Sequence, residues 1–151
     1  MTPSVRLLAM RTAASWLVAS ALAVAQAQEV ERTPLPANHP VIGLWRFDLP
    51  NTKCYELYDM RADGSTRITS GAQDIESIFR ISAAPSAKGF HEWVDKITKA
   101  NGKRDCSGEL MEVGDETTNF ILVHPSGKQF MLCEEEDTAT CVGPFIRQEG
   151  T

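Results

Sequence analysis

The side chains in this 151-residue chain with the chemistry to act on another molecule are its carboxylates, three histidines and four cysteines. Glu56, Asp59 and Glu92 could work as acid and base across neighbouring strands if one of them were buried, because burial raises a carboxyl pKa towards the working range. Their spacing fits solvated side chains equally well. His39, His91 and His124 lie far apart, with neither the i, i+4 spacing of a helical metal site nor a serine nucleophile motif nearby. The acidic run Glu134-Glu135-Glu136-Asp137 has the charge to attract a hard cation such as calcium. It lacks the alternating oxygen ligands and the turn glycine of a calcium loop, and reads as a solvated loop. No catalytic motif emerges, and the sequence calls for no metal and no cofactor.

The cysteines Cys54, Cys106, Cys133 and Cys141 lack the paired C-x₂-C arrangement of tetrahedral zinc sites and the C-x-x-C of thiol–disulfide exchange. Disulfide bonding is the natural reading, because the chain opens like an exported protein. Arg6 and Arg11 form a positive n-region, Trp16 to Val24 an apolar h-region, and Ala25-Gln26-Ala27 the small-x-small pattern cut by a signal peptidase. The apolar stretch is shorter than the roughly 20 residues of a spanning helix and is rich in alanine, which inserts weakly. Cleavage near Ala27 predicts a soluble periplasmic or secreted protein with no membrane insertion of the mature chain, in a compartment where disulfides persist.

Removal of residues 1–27 leaves 13 basic and 20 acidic side chains, a net charge of −7. Such a surface repels phosphate backbones and anionic headgroups, which argues against nucleic acid and membrane surfaces and for a basic protein partner, if there is a partner at all. The remaining chain, about 124 residues, is enough for one core and not two. Residues 28–40 contain three prolines and no apolar periodicity, which predicts an extended, mobile leader before a domain over residues 41–151.

Within that domain, short apolar runs separated by turn residues at a spacing near ten predict an all-β antiparallel meander. Val41 to Leu49 alternates as a half-buried strand. Cys54 to Arg61 follows, and Ala62-Asp63-Gly64 turns the chain into Ser65 to Ser70. A fourth strand runs from Ile75 to Ser82. Phe90 to Ala100 is ambiguous, since Phe90, Trp93, Val94 and Ile97 also fall at helical spacing. Asn101-Gly102, followed by the apolar run Leu110 to Val113, favours a hairpin and hence a strand. Phe120 to His124 and Gln129 to Cys133 form the last hairpin, leaving Cys141 to Arg147 as a tail. The result is a meander of about eight strands closing into a small barrel. Successive strands start at alternating ends, so Cys54 at the start of the second strand and Cys106 at the start of the sixth share one end. Cys133 then falls at the opposite end with Cys141 close by, and the predicted pairs are Cys54–Cys106 and Cys133–Cys141.

An eight-stranded meander with Gly43-Leu44-Trp45 on its first strand, and with Arg147 near its end, resembles the calycin superfamily of lipocalins and related barrels. The resemblance implies structural roles for Gly43, Trp45 and Arg147, the arginine packing across the tryptophan to close the barrel. It also implies a binding function for one small apolar molecule. A closed barrel of eight strands has an interior that either packs solid or holds one small ligand. Candidate lining residues are Tyr55, Tyr58, Met60, Phe79, Trp93, Phe120 and Met131, residue types that more often form a plain core. Arg80, in an apolar strand, could bind a ligand carboxylate if it faced inward. A binding protein for a small apolar or amphiphilic ligand is therefore the first reading. A protein-binding inhibitor or adaptor using the acidic loop is the second, and an enzyme a distant third.

Overall fold

A computed structural model describes residues 30–149. The expected export signal over residues 1–27 lies outside the described residues. The described chain is an all-β closed barrel of eight antiparallel strands in simple sequential order. They are β1 (Gly43–Asp48), β2 (Tyr55–Met60), β3 (Ser65–Ser70), β4 (Gln73–Ile81), β5 (Phe90–Ala100), β6 (Glu116–Val123), β7 (Gln129–Cys133) and β8 (Cys141–Gln148). The barrel closes through β8 on β1, where Trp45 lies opposite Arg147.

The ambiguous segment, Phe90–Ala100, is a strand along its whole length. Helical spacing of its large residues arises because both faces of β5 are buried, with Trp93 and Ile97 on one side and Phe90 and Val94 on the other. Two expected elements differ. The run Leu110 to Val113 forms no strand but belongs to a long loop, residues 101–115, and the expected tail is the closing strand β8. An apolar residue in a loop and a strand interrupted by Gly143-Pro144 defeat periodicity for opposite reasons.

The two disulfides are Cys54–Cys106 and Cys133–Cys141, as the cysteine order predicts. The parity behind that pairing needs correction, since Cys133 ends β7 and Cys141 begins β8. Both bridges therefore lie at one end of the barrel, here called the upper end, together with the β5–β6 loop. The lower end holds the start of β1, the end of β8 and the β2–β3, β4–β5 and β6–β7 connections.

The lower half is packed solid. Phe47, Phe145 and Phe130 form a stack with centroid spacings of 4.8 and 4.6 Å, and Trp45 meets Phe130 edge-on at 4.7 Å. Offset and edge-to-face contacts of this kind satisfy the ring quadrupoles while burying large areas. Met60, Phe79, Ile81 and Ile121 complete this cluster. Arg147 then closes the bottom. Its guanidinium sits 4.1 Å from the Trp45 ring centroid and donates to the carbonyls of Ile42 and Pro40 at 2.7 Å each and Gly127 at 2.8 Å. Trp45 donates its indole N–H to the Val41 carbonyl at 2.8 Å. Gly43 has φ +139°, and a Cβ there would come within 2.5 Å of the Arg147 guanidinium.

The expected boundary at Val41 and the mobile leader are corrected by the packing of residues 30–40. Leu35 belongs to the main core cluster, and Val30 and His39 are buried. The segment is held by backbone bonds from Leu35 to Ala62 at 2.7 Å and from Thr33 to Phe79 at 3.4 Å, with Arg32 bridging to Asp63. It passes so close to the β2–β3 turn that a Cβ at Gly64, whose φ is +80°, would lie 2.7 Å from the Thr33 carbonyl. Prolines that remove helical and ladder options leave the backbone extended, and two apolar side chains are enough to anchor it across an open barrel end.

Leu35→Ala is expected to lower stability by about 2 to 3 kcal/mol, as a truncated core leucine does, and an unchanged denaturation midpoint would return this segment to a mobile leader. Gly43→Ala forces a left-handed backbone on a residue with a Cβ and displaces the Arg147 guanidinium, for an expected loss of about 1 to 3 kcal/mol in the same measurement.

Candidate functional site

Above the packed aromatic layer the barrel interior changes character. β2 turns Glu56 and Tyr58 inward, β3 Ile68 and Ser70, β4 Gln73 and Ile75, β5 Trp93 and Asp95, and β6 Thr117 and Asn119. The strand alternation that buries Met60 thus also directs Glu56 into the interior, because residues two apart share a face. These side chains surround a cavity of about 150 Å³. Asp105 and Met111, from the 101–115 loop, complete its upper wall, and Met111 packs on the small cluster of Ile68, Ile75 and Ile97. The loop is fixed by the Cys54–Cys106 bridge, by the Cys106 amide donating to the Ser70 hydroxyl at 3.0 Å, and by Asn101 donating to the Ala72 carbonyl at 2.9 Å.

The cavity is acidic. Glu56 accepts from the Ser70 hydroxyl at 2.6 Å and from the Tyr58 hydroxyl at 3.0 Å. Asp95 is 7% exposed and accepts from the Thr117 hydroxyl at 2.5 Å. Asp105 accepts from the Ser107 and Glu109 amides of its own loop at 2.9 and 2.8 Å. Among the described residues no lysine, arginine or histidine lines the space. Burial pushes the Asp95 carboxyl above the ordinary carboxylate range, against the opposing pull of the Thr117 hydrogen bond. The Tyr58 phenol is raised well above its usual value, first by burial and then by the charges of Glu56, Asp95 and Asp105. Tyr58 is thus a neutral donor across the physiological range, standing in a field made by three carboxylates.

Among the expected lining residues, the structure brings Tyr58 and Trp93 together at this cavity, edge to face at 6.4 Å. Met60 and Phe79 lie in the solid lower core. Phe120 and Met131 alternate with cavity- and core-facing Asn119, Ile121 and Leu132, which places them on the outer face. Tyr55 is exposed on the outer surface with Arg46 stacked 4.0 Å above its ring. Arg80 also points outward and pairs with Glu92 at 3.3 Å, so it presents no cation to a ligand inside. Of the carboxylates considered for acid–base work, Glu56 faces the cavity, while Asp59 pairs with Arg61 at 2.7 Å on the outside.

Asp95, Asp105, Ser70, Gln73, Thr117 and Asn119 were not anticipated. The signal for Asp95 lay in Trp93-x-Asp95-x-Ile97, a carboxylate between two large apolar residues on one face of a strand. Asp105 carries no such signal, because its place depends on how the 101–115 loop folds back. His39 and His91 also come together, at the lower end, with ring centroids 5.2 Å apart. Both rings face the Ser82 carbonyl, at 3.4 and 2.9 Å. Among the described residues no three His, Cys, Asp or Glu side chains converge as ligands of one metal ion. Compared with protein-family models, with curated proteins and with solved structures, the chain finds no match.

The raised pKa of Asp95 has a direct consequence for stability. The folded chain binds this proton more tightly than the unfolded chain, so ionisation of Asp95 subtracts stability as pH rises through the raised value. Below the ordinary aspartate value of about 3.9 both states are protonated and the penalty vanishes. Asp95→Asn keeps an acceptor for Thr117 and removes the charge. It is expected to be more stable than the parent at pH 7 and to lose that advantage by pH 3. Urea denaturation at the two pH values checks this, and a variant less stable at pH 7 would contradict the burial argument.

Proposed function

We propose that this protein is an exported binding barrel that holds one small polar molecule in its upper cavity. The observation that carries the proposal is the contrast within one interior: the lower half is filled by stacked aromatics, and the upper half keeps a space of about 150 Å³ in which hydrogen-bonding side chains stand among Ile68, Ile75, Trp93, Met111 and Leu132. A cavity of that size in a protein interior admits a molecule of about the size of benzene, well short of a long acyl chain. The ligand is accordingly small and carries polar groups, with an apolar part suited to Ile68, Ile75 and Leu132, rather than being a long-chain compound.

Export through residues 1–27 belongs to the same proposal and is supported by the two disulfides, which fit an oxidising compartment. The likeness to lipocalins also stays a proposal. Its support is Arg147 lying over Trp45, with Gly43 leaving room for the guanidinium.

A second reading, a protein-binding inhibitor or adaptor, draws on exposed apolar side chains of the outer sheet. Leu44 and Ile146 are each 39% exposed on adjoining strands. The acidic residues Glu134 to Asp137 lie at the upper end, between the two cysteines of the second bridge.

Native mass spectrometry of the oxidised protein from its exporting cell separates the two readings. The binding reading expects a released mass of a small polar compound, absent from Asn119→Phe, whose ring fills the cavity. A released mass retained by Asn119→Phe, or no small-molecule mass after screening with polar metabolites, would overturn cavity binding and turn attention to protein partners.

A further inference from the structure

We infer that the upper cavity selects a small organic cation, an amine of about six to ten non-hydrogen atoms, held between the carboxylates of Asp95 and Glu56 and the rings of Tyr58 and Trp93. The inference rests on the cavity being the binding site and adds the charge and chemical class of its ligand.

The distribution of ion pairs supplies the argument. On the outer faces of strands β1 to β5, five carboxylates are matched by cations: Asp48 by Arg46, Asp59 by Arg61, Asp74 by Arg67, Glu76 by Lys99 and Glu92 by Arg80. In the cavity the pattern stops. Glu56, Asp95 and Asp105 are met by hydroxyls and backbone amides, and the lining contains no basic side chain. Asp95 is buried and its charge is disfavoured by desolvation, with Glu56 and Asp105 lining the same space, and an entering cation compensates a charge held there. The carboxylate charges that add to burial in raising the Tyr58 phenol act on any charge placed beside it.

A bare metal ion is a poor fit, because these carboxylates do not converge as its ligands among the described residues. They lie around the walls, which suits a cation with the reach of an organic molecule. The aromatic pair favours the same class, since ammonium groups are attracted to ring faces.

Trp93 is an independent sign of a ligand. It lines the cavity, is 2% exposed, and its indole N–H has no acceptor among the described residues. A buried donor left without a protein partner is uncommon in folded proteins and is completed by a bound molecule or an ordered water. The ligand should therefore carry an oxygen acceptor as well as its ammonium group.

Three probes of matched size and a shared phenol oxygen isolate the charge: tyramine, the neutral alcohol tyrosol, and the anion 4-hydroxyphenylacetate. Binding is measured by calorimetry at pH 7, with the Trp93 indole N–H resonance reporting the site. Tyramine is expected to bind at least tenfold more tightly than tyrosol and to shift that resonance, with no binding of the anion. Asp95→Asn is expected to weaken tyramine at least tenfold and to leave tyrosol unchanged, and Glu56→Gln provides the same comparison should Asp95→Asn fold poorly.

Tyrosol or the anion binding as tightly as tyramine at the Trp93 resonance would overturn the cation while leaving the cavity as the site. Tyramine binding that neither substitution weakens, or that leaves the Trp93 resonance unmoved, would place the amine elsewhere and overturn the inference. No binding of any probe would count against both the cation and the cavity.

Discussion

The architecture depends on one side chain, Arg147, which closes the barrel from the inside of its lower end. Its guanidinium joins three separate stretches of chain by donating to carbonyls before β1, at Pro40 and Ile42, and in the β6–β7 turn, at Gly127. Those carbonyls lie at the ends of ladders and have no strand partners of their own, so a planar, permanently charged donor with five N–H groups suits them in a way lysine does not. The apolar face of the arrangement is Trp45, over which the guanidinium stacks. Because Trp45 also holds Phe130 and, through it, the phenylalanine stack, the seam between β8 and β1 is bound to the core by packing as well as by hydrogen bonds. Gly43 is the local condition for this, since it leaves the space the guanidinium fills.

A barrel sealed at its lower end by aromatics has freedom only at the other. The strands continue upward past the stack, and among the residues they turn inward there Glu56, Ser70, Gln73, Asp95, Thr117 and Asn119 are polar, so the interior stops packing solid and leaves a cavity. The 101–115 loop covers it, tied down by the Cys54–Cys106 bridge over a sequence separation of 52. A loop of that length with few buried side chains of its own would otherwise sample many conformations. The bridge restricts those in the unfolded chain and holds the loop against Ser70 in the folded one. The second bridge restrains the short connection at the same end. Both covalent constraints thus stand where the hydrophobic core is thinnest.

Much of this was legible in the sequence, and the parts that were not share a cause. The bounds of β3 and β5 could be read from the sequence, because turn signals at Asp63-Gly64, Gly71, Gly89 and Asn101-Gly102 bracket them, although helical spacing left the type of β5 ambiguous. The eight-stranded total was reached through two compensating differences, a loop read as a strand at Leu110 to Val113 and a strand read as a tail at Cys141 to Arg147. Apolar residues in a loop mark what the loop packs on, and here Met111 rests on Ile68, Ile75 and Ile97, which periodicity cannot show. The site was less legible than the fold. Tyr58 and Trp93 were visible as candidates, but which face of a two-sided apolar strand looks inward depends on register and closure. That ambiguity put Phe120 and Met131 inside when they lie outside, and passed over Asp95. The leader was misjudged on composition, since a short proline-rich segment needs only Val30, Leu35 and His39 to find buried places for it to be ordered.

The placement of the carboxylates carries the remaining step. A sequence under selection for stability alone has little reason to keep Asp95 in a barrel interior, where desolvation disfavours its charge and asparagine would accept the same hydroxyl bond. The hydrogen bond from Thr117 reduces that penalty without neutralising the charge, and those from Ser70 and Tyr58 hold Glu56 in a fixed position on the same cavity. Elsewhere the chain shows how it pairs acids with arginine and lysine across adjacent strands. Among the described residues no such pair stands in the cavity lining, where Asp95 is buried and an exposed acid's compensation by water is reduced. Local features that oppose stability, held in place by an otherwise consistent fold, are where function is expected to reside. In this barrel they are gathered under one disulfide-bound loop, around an unpaired indole N–H, at the end left unfilled by the aromatic core.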